Sequence, residues 1–118
     1  TLYYVIAKPQ AGVSTKKLFS SLPLPRKKPD TAAAICALGE GDIQKLGRLL
    51  YNALEETAAA MVPEIGQLKG KLLNAGALGA CMSGSGSAVF GLFESEEAAQ
   101  AAEEAVSDAA FCCTCHTV

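Results

Sequence analysis

Four stretches of the chain have the apolar and β-branched character of strands. The first covers residues 2–7 and ends at Lys8 and Pro9, because proline cannot donate to a β-ladder. The other three cover residues 78–82, 88–93 and 111–118. Residues 83–87, with the sequence Ser-Gly-Ser-Gly-Ser, connect the second of these strands to the third, and we name them the Gly/Ser loop.

The residues between the first and second strands have helical periodicity, with capping residues ahead of apolar positions spaced by three or four. Ser14 and Asp30 are the predicted caps of two short helices, the second of which Gly39 closes. Asp42 is predicted to cap one long helix that ends at Pro63. The apolar stripe of this long helix consists of Ile43, Leu46, Leu50, Leu54 and Ala58.

Two further helices complete the pattern. One begins at Pro63, a favourable residue for the first turn, and stops near Gly76, a typical C-terminal glycine. Its apolar face consists of Ile65, Leu68 and Leu72. Ser95 and the acidic pair that follows it suit the start of another helix, which is predicted to continue to Ala110.

The order of elements is strand, several helices, two strands, helix and strand. This is the split βαβ order, with its first helix expanded into a helical cluster. It predicts an α+β fold in which a four-stranded antiparallel sheet carries helices on one face. Other strand pairings remain open at this level, and the sequence has no internal repeat at a fixed period.

Composition and charge exclude several classes of protein. The chain of 118 residues is 50% hydrophobic and 19% charged, so one folded domain is expected and disorder is excluded. A net charge of −2 argues against nucleic-acid binding, and no apolar run approaches the roughly 18 residues of a membrane helix. Five cysteines favour a reducing, cytoplasmic location. The start at Thr1 without a methionine predicts a piece of a longer protein.

The Gly/Ser loop is the strongest candidate for a ligand-binding site. Its glycines free the backbone to form a nest of N–H groups, and its three hydroxyls add donors for phosphate oxygens. Gly84 and Gly86 either let the backbone approach a neighbouring loop closely or meet a requirement for positive φ. The loop lacks the lysine of a P-loop, so a plain hairpin turn is the alternative.

Three cysteines and the only histidine crowd into the last predicted strand: Cys112, Cys113, Cys115 and His116. Thiolates and imidazole are zinc ligands. Strand alternation, however, puts Cys113 and Cys115 on one face and Cys112 and His116 on the other. We therefore predict packed thiols without a metal site, and a strand-end position for His116.

Two other features carry weaker signals. The basic run Arg26-Lys27-Lys28 lies between prolines and is predicted to be a solvated surface loop without a function. Thr15 and Phe19 are four residues apart on a predicted helix, and a hydroxyl beside an aromatic ring suits a planar ligand. A core position for Phe19 is the alternative.

Several short motifs form a recognisable set. They are Ala7-Lys8-Pro9, Gly12-Val13-Ser14-Thr15 with Leu18-Phe19, Pro29-Asp30-Thr31, Gly41-Asp42, Asn52-Leu54-Glu55 and the run over residues 76–86. This set resembles the GHMP kinase family, over essentially all of this chain but only the C-terminal half of those enzymes. The Ser-Gly-Ser-Gly motif marks the wider family. The opening motifs resemble the member that acts on a cytidine diphosphate-linked methylerythritol.

The resemblance implies a ferredoxin-like C-terminal domain over residues 1–118, closing a cleft over an N-terminal ATP-binding domain that is absent from this chain. It implies ATP and Mg²⁺ as cofactors and the 2-hydroxyl of the methylerythritol substrate as acceptor, in non-mevalonate isoprenoid synthesis. The family's nucleotide-binding loop in this half corresponds to Ser83, Gly84, Ser85 and Gly86. Its substrate-binding threonine and aromatic residue correspond to Thr15 and Phe19.

In the family, the ATP loop, the catalytic aspartate and its lysine partner belong to the N-terminal half. No catalytic residue is therefore assigned here, and the isolated chain is expected to be inactive and to self-associate through the face that the other half covers. Two alternatives remain. One is the C-terminal domain of another GHMP small-molecule kinase, and the other is a stand-alone ferredoxin-like module that binds a ligand or a partner.

Overall fold

The computed structural model describes residues 2–21 and 30–117. The elements in this part of the chain are β1 (Tyr3–Lys8), α1 (Thr15–Ser21), α2 (Thr31–Glu40), α3 (Ile43–Leu49), α4 (Glu55–Met61), α5 (Glu64–Asn74), β2 (Gly79–Met82), β3 (Val89–Phe93), α6 (Glu96–Glu103) and β4 (Phe111–His116). None of these helices is long and apolar enough to cross a membrane. The predicted basic loop at Arg26-Lys27-Lys28 lies outside the described residues.

The four strands form one antiparallel sheet in the order β2-β3-β1-β4. Val5 of β1 lies opposite Gly91 of β3 on one side and Thr114 of β4 on the other. Ala80 of β2 lies opposite Gly91 on the far side of β3. The first and third strands are therefore central, as in the split βαβ arrangement, and the predicted α+β fold is confirmed.

The core lies on one face of the sheet, where α5 and α6 cover it. Alternate residues of each strand point to this face because successive side chains of a strand point to opposite sides. The buried side chains from the strands are Val5, Ala7, Ala80, Met82, Val89 and Phe93. Those from the two helices are Ile65, Leu68, Leu72, Ala99 and Ala102. The predicted apolar face of α5 is thus confirmed.

The predicted helix caps are present, with one glycine reassigned. The side chains of Asp30, Asp42 and Ser95 each accept a hydrogen bond from the backbone N–H three residues later. The prediction that Gly39 closes α2 is wrong, because the helix continues to Glu40 and Gly41 is its cap. Gly41 has a φ of 72°, a left-handed conformation that glycine adopts without a steric penalty.

The prediction of one long helix after Asp42 is also wrong. The structure has two short helices, α3 and α4, separated by non-helical backbone over residues 50–54. Leu50 ends α3 with an extended conformation, φ −61° and ψ 125°. The reason is a tertiary contact, because Asn52 in this break donates hydrogen bonds to the carbonyl groups of Met82 and Gly84.

α6 ends earlier than the predicted Ala110. It stops at Glu103 and continues only as a short 3-10 turn, Glu104–Val106. Val106 is fully buried, and Lys71 of α5 pairs with Asp108 at 2.8 Å. These two contacts bind the turn to α5 and allow the chain to enter β4 at Phe111.

The opposite face of the sheet is approached by α3. Leu46 and Leu50 lie across an apolar cavity of about 460 Å³ from residues of the two central strands, β1 and β3. The strand residues that line this cavity are Tyr4, Ile6, Phe90 and Leu92. Ser83, at the start of the Gly/Ser loop, lines the same cavity.

Candidate functional site

One end of the sheet gathers the segments of the predicted site. Because all neighbouring strands are antiparallel, β1 and β2 end where β3 and β4 begin. The Gly/Ser loop joins β2 to β3 at that end, and residues 9–14 leave β1 at the same end. The Gly/Ser loop and the segment over residues 9–14, which are far apart in sequence, therefore lie at the same end of the sheet.

Gly86 is the point where the Gly/Ser loop contacts the segment before α1. An added Cβ at Gly86 would lie 3.0 Å from Val13 Cγ2 and 3.0 Å from Met82 Sδ, and φ at Gly86 is 96°. Glycine satisfies both the close approach and the backbone conformation. Gly84 also has a positive φ, 58°, but an added Cβ there would have no atom within 4 Å. Gly86 is thus required for close packing against Val13 and Met82, whereas Gly84 lies next to open space.

The Gly/Ser loop has unused hydrogen-bond donors. Ser83 and Gly86 donate their N–H groups to carbonyl groups within the hairpin, at 2.8 and 3.1 Å. Residues 2–21 and 30–117 provide no acceptor for the N–H groups of Gly84, Ser85 and Ser87. The hydroxyl of Ser87, a residue only 3% exposed, also lacks a partner within these ranges. Buried polar groups are normally paired, so the Ser87 hydroxyl is the unusual group, and with the neighbouring N–H donors it makes the loop a candidate binding site for an oxyanion or another hydrogen-bonding ligand.

The two predicted substrate residues lie on α1. Thr15 is its first residue, and Phe19 follows one turn later with 54% of its surface exposed. Leu18 is fully buried and anchors the helix, so the alternative that Phe19 belongs to the core is wrong. Within the described residues, no hydrogen bond links Thr15 to the Gly/Ser loop.

Asn52 and Glu55, which lie outside the predicted site, hold the start of the Gly/Ser loop. Asn52 Nδ2 donates to the carbonyl oxygens of Met82 and Gly84 at 2.8 and 2.7 Å. Glu55 Oε1 accepts the N–H of Met82 at 2.7 Å, and Glu55 Oε2 pairs with Lys69 Nζ at 2.6 Å. The sequence analysis missed these contacts because it placed both residues inside one long helix. The motif Asn52-Leu54-Glu55 was the only sequence feature that could have indicated them.

The thiol beside this contact is inert. Burial, together with the carboxylate of Glu55, raises the pKa of Cys81 to about 11. Cys81 is therefore protonated at neutral pH and acts as a small apolar side chain of β2, without the thiolate character that a nucleophile needs.

β4 separates its cysteines as strand alternation predicts. Cys112 packs against the core, whereas Cys113 and Cys115 share the other face with their Sγ atoms 3.8 Å apart. Burial and the neighbouring Cys113 thiol raise the pKa of Cys115 to about 11. His116 ends the strand and is exposed, as predicted. In the part of the chain that the structure describes, no group of three or more His, Cys, Asp or Glu side chains can hold a metal ion.

Proteins with similar sequences are small-molecule kinases. A family model described as GHMP kinases C terminal matches residues 32–111. The 4-diphosphocytidyl-2-C-methyl-D-erythritol kinase of Pelotomaculum thermopropionicum is 43% identical over 98 residues, 81% of this chain and 34% of the relative. The kinase of the same name from Carboxydothermus hydrogenoformans is 44% identical over 95 residues, 78% and 33% respectively. The chain spans about a third of the length of these curated relatives.

Solved structures agree with the sequence comparison. A crystal structure of 4-(cytidine 5'-diphospho)-2C-methyl-D-erythritol kinase matches with a TM-score of 0.80 and 29% identity, over 96% of this chain and 41% of that one. A homoserine kinase from Cytophaga hutchinsonii matches with a TM-score of 0.70 and 30% identity, over 96% and 39%. With the sheet order, the Gly/Ser loop and the family model in agreement, the chain belongs to the GHMP kinase family and corresponds to its C-terminal domain.

Proposed function

We propose that this chain is part of an ATP-dependent kinase that phosphorylates the 2-hydroxyl of 4-diphosphocytidyl-2-C-methyl-D-erythritol in non-mevalonate isoprenoid synthesis. The observation that carries the proposal is the Gly/Ser loop, whose unpaired N–H groups lie beside its contact with Val13. Val13 belongs to the Gly-Val-Ser-Thr motif that resembles this member of the family. The names of the relatives support the same substrate.

The Gly/Ser loop suits the phosphates of ATP. The unpaired N–H groups of Gly84, Ser85 and Ser87 are donors, and a left-handed glycine between non-glycine residues favours a nest for an anion. Hydrogen bonds to a charged acceptor are about twice as strong as neutral ones. Bound Mg²⁺ would neutralise phosphate charge, and we assign none of the described residues to the metal.

The exposed face of α1 suits the cytidine end of the other substrate. The ring of Phe19 is available for stacking on a base, and the hydroxyl of Thr15 one turn earlier can donate or accept a hydrogen bond. Leu18 holds the helix against the core, so the two side chains are presented by a fixed backbone.

The rest of the active site would come from another domain. We propose that residues 1–118 form one wall of a cleft and that an N-terminal domain contributes the ATP loop, the catalytic aspartate and its lysine. The relatives, about three times as long as their match to this chain, support this division. Phosphoryl transfer depends on positioning and charge stabilisation by a complete site, so neither part is expected to work alone.

A substrate panel tests the function. Release of ADP is measured for the full-length kinase with 4-diphosphocytidyl-2-C-methyl-D-erythritol or homoserine as acceptor, and the 118-residue chain serves as the negative control. We expect turnover with the cytidylyl substrate only, and none from the chain alone. Turnover with homoserine alone would indicate a different small-molecule kinase of the family. Ligand binding by the full-length protein without any turnover would indicate a binding module.

Phe19→Ala is expected to raise KM for the cytidylyl substrate about tenfold, the loss typical of one base stacked on an aromatic ring. KM for ATP should not change. Leu73→Ala is the control, because Leu73 is also a large exposed apolar side chain, 43% against 54% for Phe19, and lies beside Asn74 near the end of α5, at the opposite end of the sheet from the Gly/Ser loop. Steady-state kinetics of both variants give the comparison. Equal effects of the two substitutions on KM would remove Phe19 from the substrate site.

A further inference from the structure

The break between α3 and α4 directs one side chain to the Gly/Ser loop. Asn52 Oδ1 accepts the N–H of Leu54 at 2.9 Å, an Asx turn that fixes the orientation of the side-chain amide. The two Nδ2 hydrogens are then donated to the carbonyl oxygens of Met82 and Gly84. A primary amide has two donors, and Asn52 uses both on carbonyl groups that flank Ser83.

The hydrogen bond to Gly84 also determines where the next N–H points. The peptide bond between Gly84 and Ser85 is trans, and the C=O and N–H groups of a trans peptide point in opposite directions. Since the Gly84 carbonyl faces Asn52, the N–H of Ser85 points away from Asn52. No acceptor for this N–H exists among residues 2–21 and 30–117. Asn52 therefore holds a free donor in one orientation.

Glu55 holds the base of the same loop. β2 is an edge strand, and the N–H of Met82 is directed to its open side, where Glu55 Oε1 accepts it at 2.7 Å. Lys69 of α5 pairs with the second carboxylate oxygen, and the side chain of Glu55 is only 17% exposed. The ion pair with Lys69 fixes the Glu55 carboxylate against α5, and the hydrogen bond from Met82 joins the same carboxylate to β2.

We propose that Asn52 is a positioning residue for ATP, which orients the Gly84–Ser85 peptide so that the Ser85 N–H is presented to a phosphate oxygen. Glu55, paired with Lys69, keeps Met82 in register for this arrangement. The proposal rests on the proposed function of the Gly/Ser loop. Asn52 contacts no ligand and acts through the backbone. Donors that are oriented before the ligand arrives need no reorganisation on binding, so loss of Asn52 weakens ATP binding without weakening the binding of the alcohol substrate.

Asn52→Ala and Asn74→Ala in the full-length kinase form the first test. Asn74 is exposed and ends α5, at the opposite end of the sheet from the Gly/Ser loop. Asn52→Ala is expected to raise KM for ATP about tenfold, the loss expected for one hydrogen bond to a charged acceptor. KM for the alcohol substrate should stay unchanged, as should both KM values in Asn74→Ala. A parallel rise of both KM values in Asn52→Ala would indicate general loosening and overturn the proposal.

The backbone amide of Ser85 provides a readout that does not depend on turnover. Its ¹H–¹⁵N signal is followed while the full-length kinase is titrated with ATP, and separately with inorganic tripolyphosphate. We expect a shift in the unchanged kinase and a much weaker one in Asn52→Ala. An equal response in both proteins would overturn the role of Asn52 and leave the phosphate site intact. No response in the unchanged kinase would overturn both the loop assignment and this proposal.

Glu55 supplies a second pair of variants that tests the same arrangement if Asn52→Ala does not fold. Glu55→Gln keeps an oxygen for the N–H of Met82, whereas Glu55→Ala removes it. We expect Glu55→Ala to raise KM for ATP and Glu55→Gln to restore most of the loss. Equal KM values for the two variants would show that the hydrogen bond to Met82 does not position the loop, and the proposal would be wrong.

Discussion

Gly79→Ala is expected to lower the free energy of unfolding by about 3 kcal/mol, the upper range for an overpacked core. Gly79 begins β2, and α3 approaches it with no space between the two backbones. An added Cβ at Gly79 would overlap the carbonyl group of Gly47, and one at Gly47 would lie 2.6 Å from the carbonyl oxygen of Leu78. Both obstacles are backbone atoms, so α3 has to move away from the sheet to relieve the overlap.

Gly70→Ala is the matched control for this substitution. Gly70 lies within α5, and an added Cβ there would have no atom within 4 Å. Replacing a glycine inside a helix by alanine is expected to stabilise the chain by about 1 kcal/mol. Urea unfolding of the unchanged chain and both variants measures the difference. If Gly79→Ala unfolds at the urea concentration of the unchanged chain, α3 does not pack on β2 through Gly47.

Two glycines of the Gly/Ser loop are expected to respond differently to substitution. Gly86→Val should cost about 3 kcal/mol of stability, because valine at φ 96° is strained and its side chain overlaps Val13 and Met82. Gly84→Ala should cost only about 1 kcal/mol, because φ 58° lies in the left-handed region that alanine can occupy. Its methyl group would enter the open space beside the unpaired N–H groups and raise KM for ATP.

Thermal unfolding and steady-state kinetics on the same preparations of full-length kinase separate these two effects. A normal melting temperature for Gly86→Val would contradict the contact between the Gly/Ser loop and Val13. A folded Gly84→Ala kinase with unchanged KM for ATP would mean that the loop is only a hairpin turn, and its assignment to the nucleotide would fail.

Local pattern was sufficient for most of the elements and for the order that identifies the fold. Asp30, Asp42 and Ser95 cap helices as predicted, because a capping hydrogen bond joins residues only three apart. The alternation of side chains along β4 separated Cys112 from Cys113 and Cys115 for the same local reason. Residue types singled out the Gly/Ser loop and the pair Thr15 and Phe19, and the resemblance assigned their roles, which remain predictions.

Only the tertiary structure determined where the helix after Asp42 is interrupted, and that the interruption places Asn52 against the Gly/Ser loop. Leu50 and Leu54 fit a helical stripe, so the local pattern favours continuation, but helix propensities differ by less than about 1 kcal/mol per residue. The hydrogen bonds of Asn52 and Glu55 to Met82 and Gly84 contribute about 1 kcal/mol each and outweigh that preference. Their partners lie 27 to 32 residues away. These backbone groups of Met82 and Gly84 are free to pair with Asn52 and Glu55 only because β2 is the edge strand of the sheet. The position of β2 in the sheet cannot be read from the residues near Asn52.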